Sequence, residues 1–342
     1  MSPPSRARAG TARRRPTSAD VARLAAVSRA TVSYVLNDTP HQSIPEATRR
    51  RVLDAAAELG YTPSAAARAL RSGRSNIVLA LLPDWPIGPA VGGIMEQLSA
   101  ALAAEGLTFL AHPQVTGRGD LAQLWKAISP VAVLSFGQLS PAETDSIRAA
   151  GIEVTLSLMD GAHGGRALFA GSLRRTGRLQ AEHLAARGHA RLGYAYPDNP
   201  RVGAIADARL DGVRAACADL GLGEPDTRTI PLAPQPAADA VAAWRQESPP
   251  VTGICAFNDQ LAFAILAGLR AHGLRAPRDM AVVGVDDIPT AALADPPLTT
   301  VTVDPAILAR HAVRHVLAAL NGERPPSRPG PDSQRILVRE SA

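Results

Sequence analysis

The stretch from 16 to 74, PTSADVARLAAVSRATVSYVLNDTPHQSIPEATRRRVLDAAAELGYTPSAAARALRSGR, constrains the fold more than any other part of the chain. Thr17 stands where an N-cap is needed, and Asp20 places a carboxylate in the first helical turn, where the helix dipole favours negative charge. Val21, Leu24 and Ala25 fall on one face at helical spacing. After a break at Ala26-Val27, Ser28 restarts a helix whose apolar face is Val32, Val35 and Leu36. Two helices joined by a turn of about three or four residues form a helix-turn-helix unit. The second helix of such a unit enters a DNA major groove and aims its N-terminal residues at base edges.

A third helix is expected over 46–59, with Val52, Leu53, Ala56 and Leu59 closing a small core and Arg49, Arg50 and Arg51 turned outward. The alanine-rich run 64–70 follows Gly60 and Pro63. It is too short to hold a helix alone, because nucleation costs more than one or two turns return, so it orders only when something holds it.

Charge divides along the same line. Residues 1–75 carry 13 arginines against five acids, whereas the remainder carries 23 basic and 26 acidic residues. A basic module on a mildly acidic body is the electrostatic footprint of a nucleic-acid binder. Residues 1–15, with five arginines among Pro, Ser and Ala, read as a disordered basic tail that either adds non-specific phosphate attraction or has no role.

Beyond Ser75 the pattern changes to strands alternating with helices. NIVLALLPD reads as a strand buried on both faces, and LTFLAH, VAVLSF and IEVTLSL read as further strands, with helices at about 121–128 and 141–150 between them. RLGYAY, TRTIPL, VTGICAF and MAVVGVDD form a second series, with helices expected at 176–187, 206–220, 237–246 and 259–272. Repeated β-α units give parallel sheets covered by helices on both faces. Two such series predict two doubly wound subdomains with a ligand cleft between them.

DVARLAAVSRATVSYVLN and TRRRVLDAAAELGYTPSAAARALRSGRSN together resemble the DNA-binding head and hinge of the lactose-repressor (LacI/GalR-type) regulators. The region from GICAFNDQLAFAILAGLRAHGLRAPRDMAVVGVDD to QRILVRES resembles that family's effector-binding core, so the likeness spans roughly 16–342. The resemblance implies an all-α helix-turn-helix head with a hinge helix, joined to an α/β core of the type I periplasmic-binding-protein kind. The expected limits are 1–15 for the tail, 16–62 for the head, 63–75 for the hinge and 76–342 for the core. Within the core, one subdomain takes about 76–172 plus 302–330 and the other about 173–301 plus 331–342. Function then follows as a sequence-specific transcriptional regulator, a repressor, working as a cytoplasmic homodimer on pseudo-palindromic operator DNA.

Residue by residue, the resemblance places base-reading contacts at Arg29, Ala30 and Tyr34. Arg29 has the chemistry for a bidentate pair with guanine, a phosphate contact being the alternative. Tyr34 replaces the arginine common at its position. Thr17, Ser28, Thr31, Ser33, Asn37 and Arg49 are the further DNA contacts, with Thr31 and Ser33 set against phosphates. Ala66 and Ala67 would approach a minor-groove floor. Leu70 would wedge between base pairs, or else pack against the core. Ala26 replaces the usual turn glycine, so the turn has either negative φ or strain.

In the cleft the resemblance implies effector contacts from Arg209, Asn258 and Asp286, a fork, an amide and a carboxylate suited to a sugar or another polar metabolite. Asp286 and the adjoining Asp287 also suit strand-end capping. Trp85 is either an aromatic wall or a loop-packing residue, and Ala90, Val91 and Gly92 stand where the family often has sugar-stacking aromatics. No nucleophile elbow, phosphate loop, zinc helix or dinucleotide fingerprint occurs, so neither an enzyme nor a cofactor or metal is expected. His311 and His315 read as a solvated helix face, and Cys217 and Cys255 as buried reduced thiols. No apolar run approaches a membrane span and no apolar stretch follows the first arginines. The rival reading, a solute-binding protein of a transporter, shares the core but needs a signal peptide and has no use for the head.

Overall fold

The protein is described here by a computed structural model covering residues 16–36, 43–61, 75–82, 87–113, 121–137, 139–159, 168–324 and 333–342. It divides into two compact units between Ser75 and Asn76.

The first unit holds α1 (Ser18–Leu24), α2 (Arg29–Leu36) and α3 (Glu46–Leu59). Thr17 and Asp20 form a capping box at the start of α1. Gly60, at φ 62°, ends α3 with its own N–H and that of Tyr61 turned back onto Ala57 and Ala56, as a left-handed cap requires. The core is Val21, Ala22, Ala25, Val32, Val35, Val52, Ala55 and Ala56. Leu24 and Leu53, expected inside, are instead 45% and 48% exposed. The buried stripes run through residues 21, 22 and 25 and through 52, 55 and 56, so small side chains face inward and let three short helices approach closely. Ala26 has φ 52°, so the strained form of the turn is the one adopted, at roughly 1–2 kcal/mol for an L-residue.

The second unit contains two sheets. The first, ordered β2-β1-β3-β4, is all parallel and comprises β1 (Ile77–Leu82), β2 (Thr108–Pro113), β3 (Ala132–Ser135) and β4 (Val154–Ser157). Its crossovers are α4 (Pro89–Ala104), α5 (Leu121–Ile128) and α6 (Pro141–Ala149). The second sheet is ordered β10-β9-β8-β7-β5-β6. Its strands are β5 (Leu192–Pro197), β6 (Asp226–Ile230), β7 (Gly253–Ala256), β8 (Ala281–Val285), β9 (Thr299–Val303) and β10 (Gln334–Leu337). Among its described strands only β10 runs antiparallel, against β9. Helices α7 (Ala170–Ala186), α8 (Gly203–Asp219), α9 (Pro234–Gln246) and α10 (Asp259–Ala271) cover it.

The chain leaves β9 in the second sheet and enters α11 (Pro305–Leu320), which packs in the core of the first. Asp304 caps that helix by accepting from the N–H groups of Ala306 and Ile307. Leu308, Ala312 and Val316 meet Ile94, Leu98 and Leu102 of α4 there. His311 is therefore buried, not on a solvated face, with its ring centroid 4.6 Å from that of His315. Burial, aided by His315 and Arg314, pushes its pKa down to about 4, so it is neutral at pH 7. Cys217 and Cys255 are buried free thiols in the core between the second sheet and its helices.

Helices α7 and α8 approach so closely that two glycines are obligatory. A Cβ at Gly177 would lie 1.9 Å from the Arg209 carbonyl oxygen, and one at Gly212 would lie 1.8 Å from that of Arg174. This crossing sets Arg209 beside the N-terminal half of α7.

Candidate functional sites

On α2, Ser28 is the cap. Its Oγ accepts from the Thr31 N–H at 3.0 Å and hydrogen-bonds the Thr31 hydroxyl at 2.9 Å. Both side chains are thus engaged with each other at the helix start. With about 100° per residue, Arg29, Ala30, Ser33 and Tyr34 share one face, opposite buried Val32 and Val35. Arg29, Ala30 and Tyr34 are exposed and Ser33 is half-buried. Thr17 donates its N–H and its hydroxyl to the Asp20 carboxylate at 2.9 and 2.6 Å, so its hydroxyl proton is used within the cap. Arg49 is half-buried in the first turn of α3. Asn37, Ala66, Ala67, Leu70 and Trp85 lie outside the described residues.

In the second unit, a cavity of about 460 Å³ opens between the two sheets, at the carboxyl ends of β7 and β8, where doubly wound folds place ligands. Arg209, Asn258 and Asp286, three residues expected there, all line it. Arg209 is 8% exposed. It donates through Nη1 to the Phe257 carbonyl at 2.5 Å and through Nη2 to Asp286 at 3.2 Å, and its guanidinium stacks 4.9 Å from the Phe257 ring centroid. Its Nε–H is buried and has no acceptor among the described residues. Burial raises the Asp286 pKa, and the Arg209 charge opposes that rise. Asp286 and Asp287 both have positive φ, 103° and 49°, which turns the chain sharply at the end of β8. Asp287 is held by Arg339 at 2.7 Å.

Asn258 spends its Oδ1 on the N–H of Leu261, capping α10 at 2.9 Å. Its amide nitrogen is left for a ligand. Beside it, Asp259 is 1% exposed and accepts from the Thr300 hydroxyl at 2.6 Å and the Ile288 N–H at 2.9 Å. Burial, with Asp286 and Asp287 adding to it, pushes its pKa up to about 7. The facing wall, supplied mainly by the first sheet's helices, is apolar: Ala90, Val91, Ile94, Met159 and Leu308. Asp259 escapes a sequence reading because its neighbour Asn258 takes the expected role. Gln334, Ser172 and Thr176, which also line the cavity, carry no motif at all.

A model of the lacI family of bacterial regulatory proteins matches residues 17–64, and one of the periplasmic-binding-protein-like domain matches 181–342. The HTH-type transcriptional regulator GntR of Pseudomonas aeruginosa is 30% identical over 322 residues, 90% of each chain. The HTH-type transcriptional regulator CelR of Thermobifida fusca is 30% identical over 334 residues, covering 91% of this chain and 94% of the other. The lac repressor dimer bound to operator and the anti-inducer ONPF superposes with a TM-score of 0.77 over 96% of this chain and 99% of the other, at 22% identity, a likeness of fold. A CelR–cellobiose complex superposes with a TM-score of 0.63 at 26% identity, over 96% of this chain and 100% of that one. The chain belongs to the lacI family of bacterial regulatory proteins and is a DNA-binding transcriptional regulator.

Proposed function

We propose that the protein is a homodimeric cytoplasmic repressor that reads a pseudo-palindromic operator with α2 and loosens or tightens its grip when a small polar molecule fills the cleft. The observation that carries this reading is the convergence of Arg209, Asn258 and Asp286, three distant stretches of sequence, on one cavity. The cellobiose held by the CelR relative supports a polar, uncharged ligand for such a cleft. On the DNA side, Arg29 and Tyr34 carry the direct readout and Ala30 offers an apolar contact. Thr17, Ser28, Thr31, Ser33, Asn37 and Arg49 set the head against the backbone. Residues 63–75 act as the hinge, with Ala66, Ala67 and Leu70 at the minor groove. In the cleft, Arg209, Asn258 and Asp286 hold the polar end of the effector, and Trp85 is the candidate aromatic wall.

Selection of operator sequences by the full-length protein, repeated with Arg29→Ala, tests the DNA half. A bidentate arginine–guanine pair is worth about 1–3 kcal/mol of discrimination. The variant is expected to lose preference at one base step of each half-site and keep it elsewhere. Equal weakening across all sequences would make Arg29 a phosphate contact and remove it from the readout.

A further inference from the structure

Gln334 opens β10 and is 5% exposed. Its Nε2 donates to the Ser172 carbonyl at 2.7 Å and to the Thr176 hydroxyl oxygen at 2.7 Å. The Thr176 hydroxyl in turn donates to the Ser172 carbonyl at 3.0 Å. These partners fix the orientation of the amide. A flipped side chain would set its oxygen against the Ser172 carbonyl, acceptor facing acceptor. Both amide hydrogens are therefore committed, and Oε1 is left as a buried acceptor without a donor.

Gln334, Ser172 and Thr176 all line the cleft. The close crossing of α7 and α8 at Gly177 brings this cluster beside the helix that carries Arg209. Two cleft residues thus hold an unpaired buried polar atom each: an acceptor, Gln334 Oε1, and a donor, Arg209 Nε–H. Buried polar atoms in native proteins are normally satisfied, and in a ligand cleft the ligand is the natural partner.

We propose that Gln334 is a specificity-determining residue of the effector cleft, its Oε1 accepting from an O–H or N–H group of a neutral effector. The inference rests on the cleft reading above and adds to it a requirement on the ligand. A hydroxyl serves both unpaired atoms, since it donates and accepts, whereas a carboxylate or phosphate serves only Arg209. Charge points the same way. Arg209 is already paired with Asp286 and Arg339 with Asp287, so among the described residues that line the cleft no unpaired cation is offered to an anion. The apolar wall of Ala90, Val91, Ile94, Met159 and Leu308 then takes a flank of the ligand that carries no hydrogen-bonding group.

The test uses the full-length protein and a panel of neutral sugars, alkyl and aryl glycosides, alditols and nucleosides, each paired with its carboxylate or phosphate counterpart. Binding is read by thermal shift and then by calorimetry. The tightest binder is expected in the neutral half. Gln334→Met should weaken it roughly tenfold, the worth of one hydrogen bond lost at a buried acceptor. The variant should also lose discrimination between that probe and its analogue lacking the one contacted hydroxyl, which the parent distinguishes. A Gln334 with a structural role alone would weaken probe and deoxy analogue alike, and that result overturns the proposal. Binding confined to the acids, or no binding in the neutral half, overturns it as well. Arg209→Ala separates the two levels. If it abolishes binding while Gln334→Met does not alter it, the cleft reading stands and the role of Gln334 falls. If neither variant alters binding, the cleft reading itself falls. Should the methionine variant fold poorly, a crystal structure of the parent with the bound probe decides. A ligand donor within about 3.2 Å of Oε1 supports the assignment, and its absence removes it.

Discussion

Gly212→Ala is expected to destabilise the protein by about 3 kcal/mol or more, although alanine for glycine inside an isolated helix stabilises by about 1 kcal/mol. The sign reverses because the added methyl would meet the Arg174 backbone at 1.8 Å, and neither helix backbone can swing aside as a side chain would. Helices α7 and α8 would have to separate. Arg209, one turn before Gly212 on α8, would move with them and lose its line to Phe257 and Asp286. A denaturation midpoint lowered in the variant, together with weakened effector binding, is the expected result. A raised midpoint would show that the two helices do not pack through their glycines.

The second large effect concerns pH. Asp259 titrates at about 7 in the folded chain against 3.8 when unperturbed, because burial outweighs its hydrogen bonds from Thr300 and Ile288. Between those values the folded state holds a proton that the unfolded state has released. The stability tied to this group is complete below about pH 4 and is lost as pH rises through about 7, by a few kcal/mol in all. His311 contributes with the opposite sign below pH 6.5, since its folded pKa is about 4, so the raw stability curve mixes the two. The difference between parent and Asp259→Asn isolates the carboxyl. The amide of that variant mimics the protonated acid, its oxygen accepting from the Ile288 N–H and its nitrogen donating to the Thr300 hydroxyl. Parent and variant should match in stability near pH 4 and diverge by pH 8, where the variant is the more stable by about 2–4 kcal/mol. Parallel curves from pH 5 to 8 would mean that Asp259 is ionised throughout.

Much of this architecture is legible in the sequence, and the exceptions have physical causes. The bounds of α3 follow from its apolar period and from Gly60, whose left-handed cap only a residue without Cβ adopts cheaply. Alternating strands and helices mark the doubly wound core, because its central strands β1, β3, β7 and β8 are buried and apolar nearly throughout, whereas the edge strands β2 and β6 are largely exposed or alternate. Helices α7, α8 and α9 begin several residues before the sequence pattern suggests, since their first turns carry Gly, Pro and polar residues without an apolar face. In the head, periodicity found the right helices but rotated their buried stripes. Large Leu24 and Leu53 look like core, yet the buried positions between the three short helices are all alanine or valine. His311 looks solvated in the sequence for a different reason. Arginines flank it at 310 and 314, but α11 crosses to the first sheet and is covered on that side as well. The cleft trio came from motif likeness, whereas Gln334, Ser172 and Thr176 meet only through tertiary packing. No local pattern in ordinary polar residues marks such a meeting.

The central claim is that occupancy of the cleft and binding of operator DNA are coupled through one molecule. Linkage requires the coupling to be reciprocal, and allosteric factors are typically about 5–150-fold. The most direct measurement is calorimetric titration of the tightest panel probe into the free protein and into the protein saturated with its selected operator. The account predicts two different affinities, whose ratio equals the factor by which the probe changes operator affinity in a separate DNA titration. Identical probe affinities with and without operator would contradict it, and would leave the cleft a binding site with no hand on the DNA.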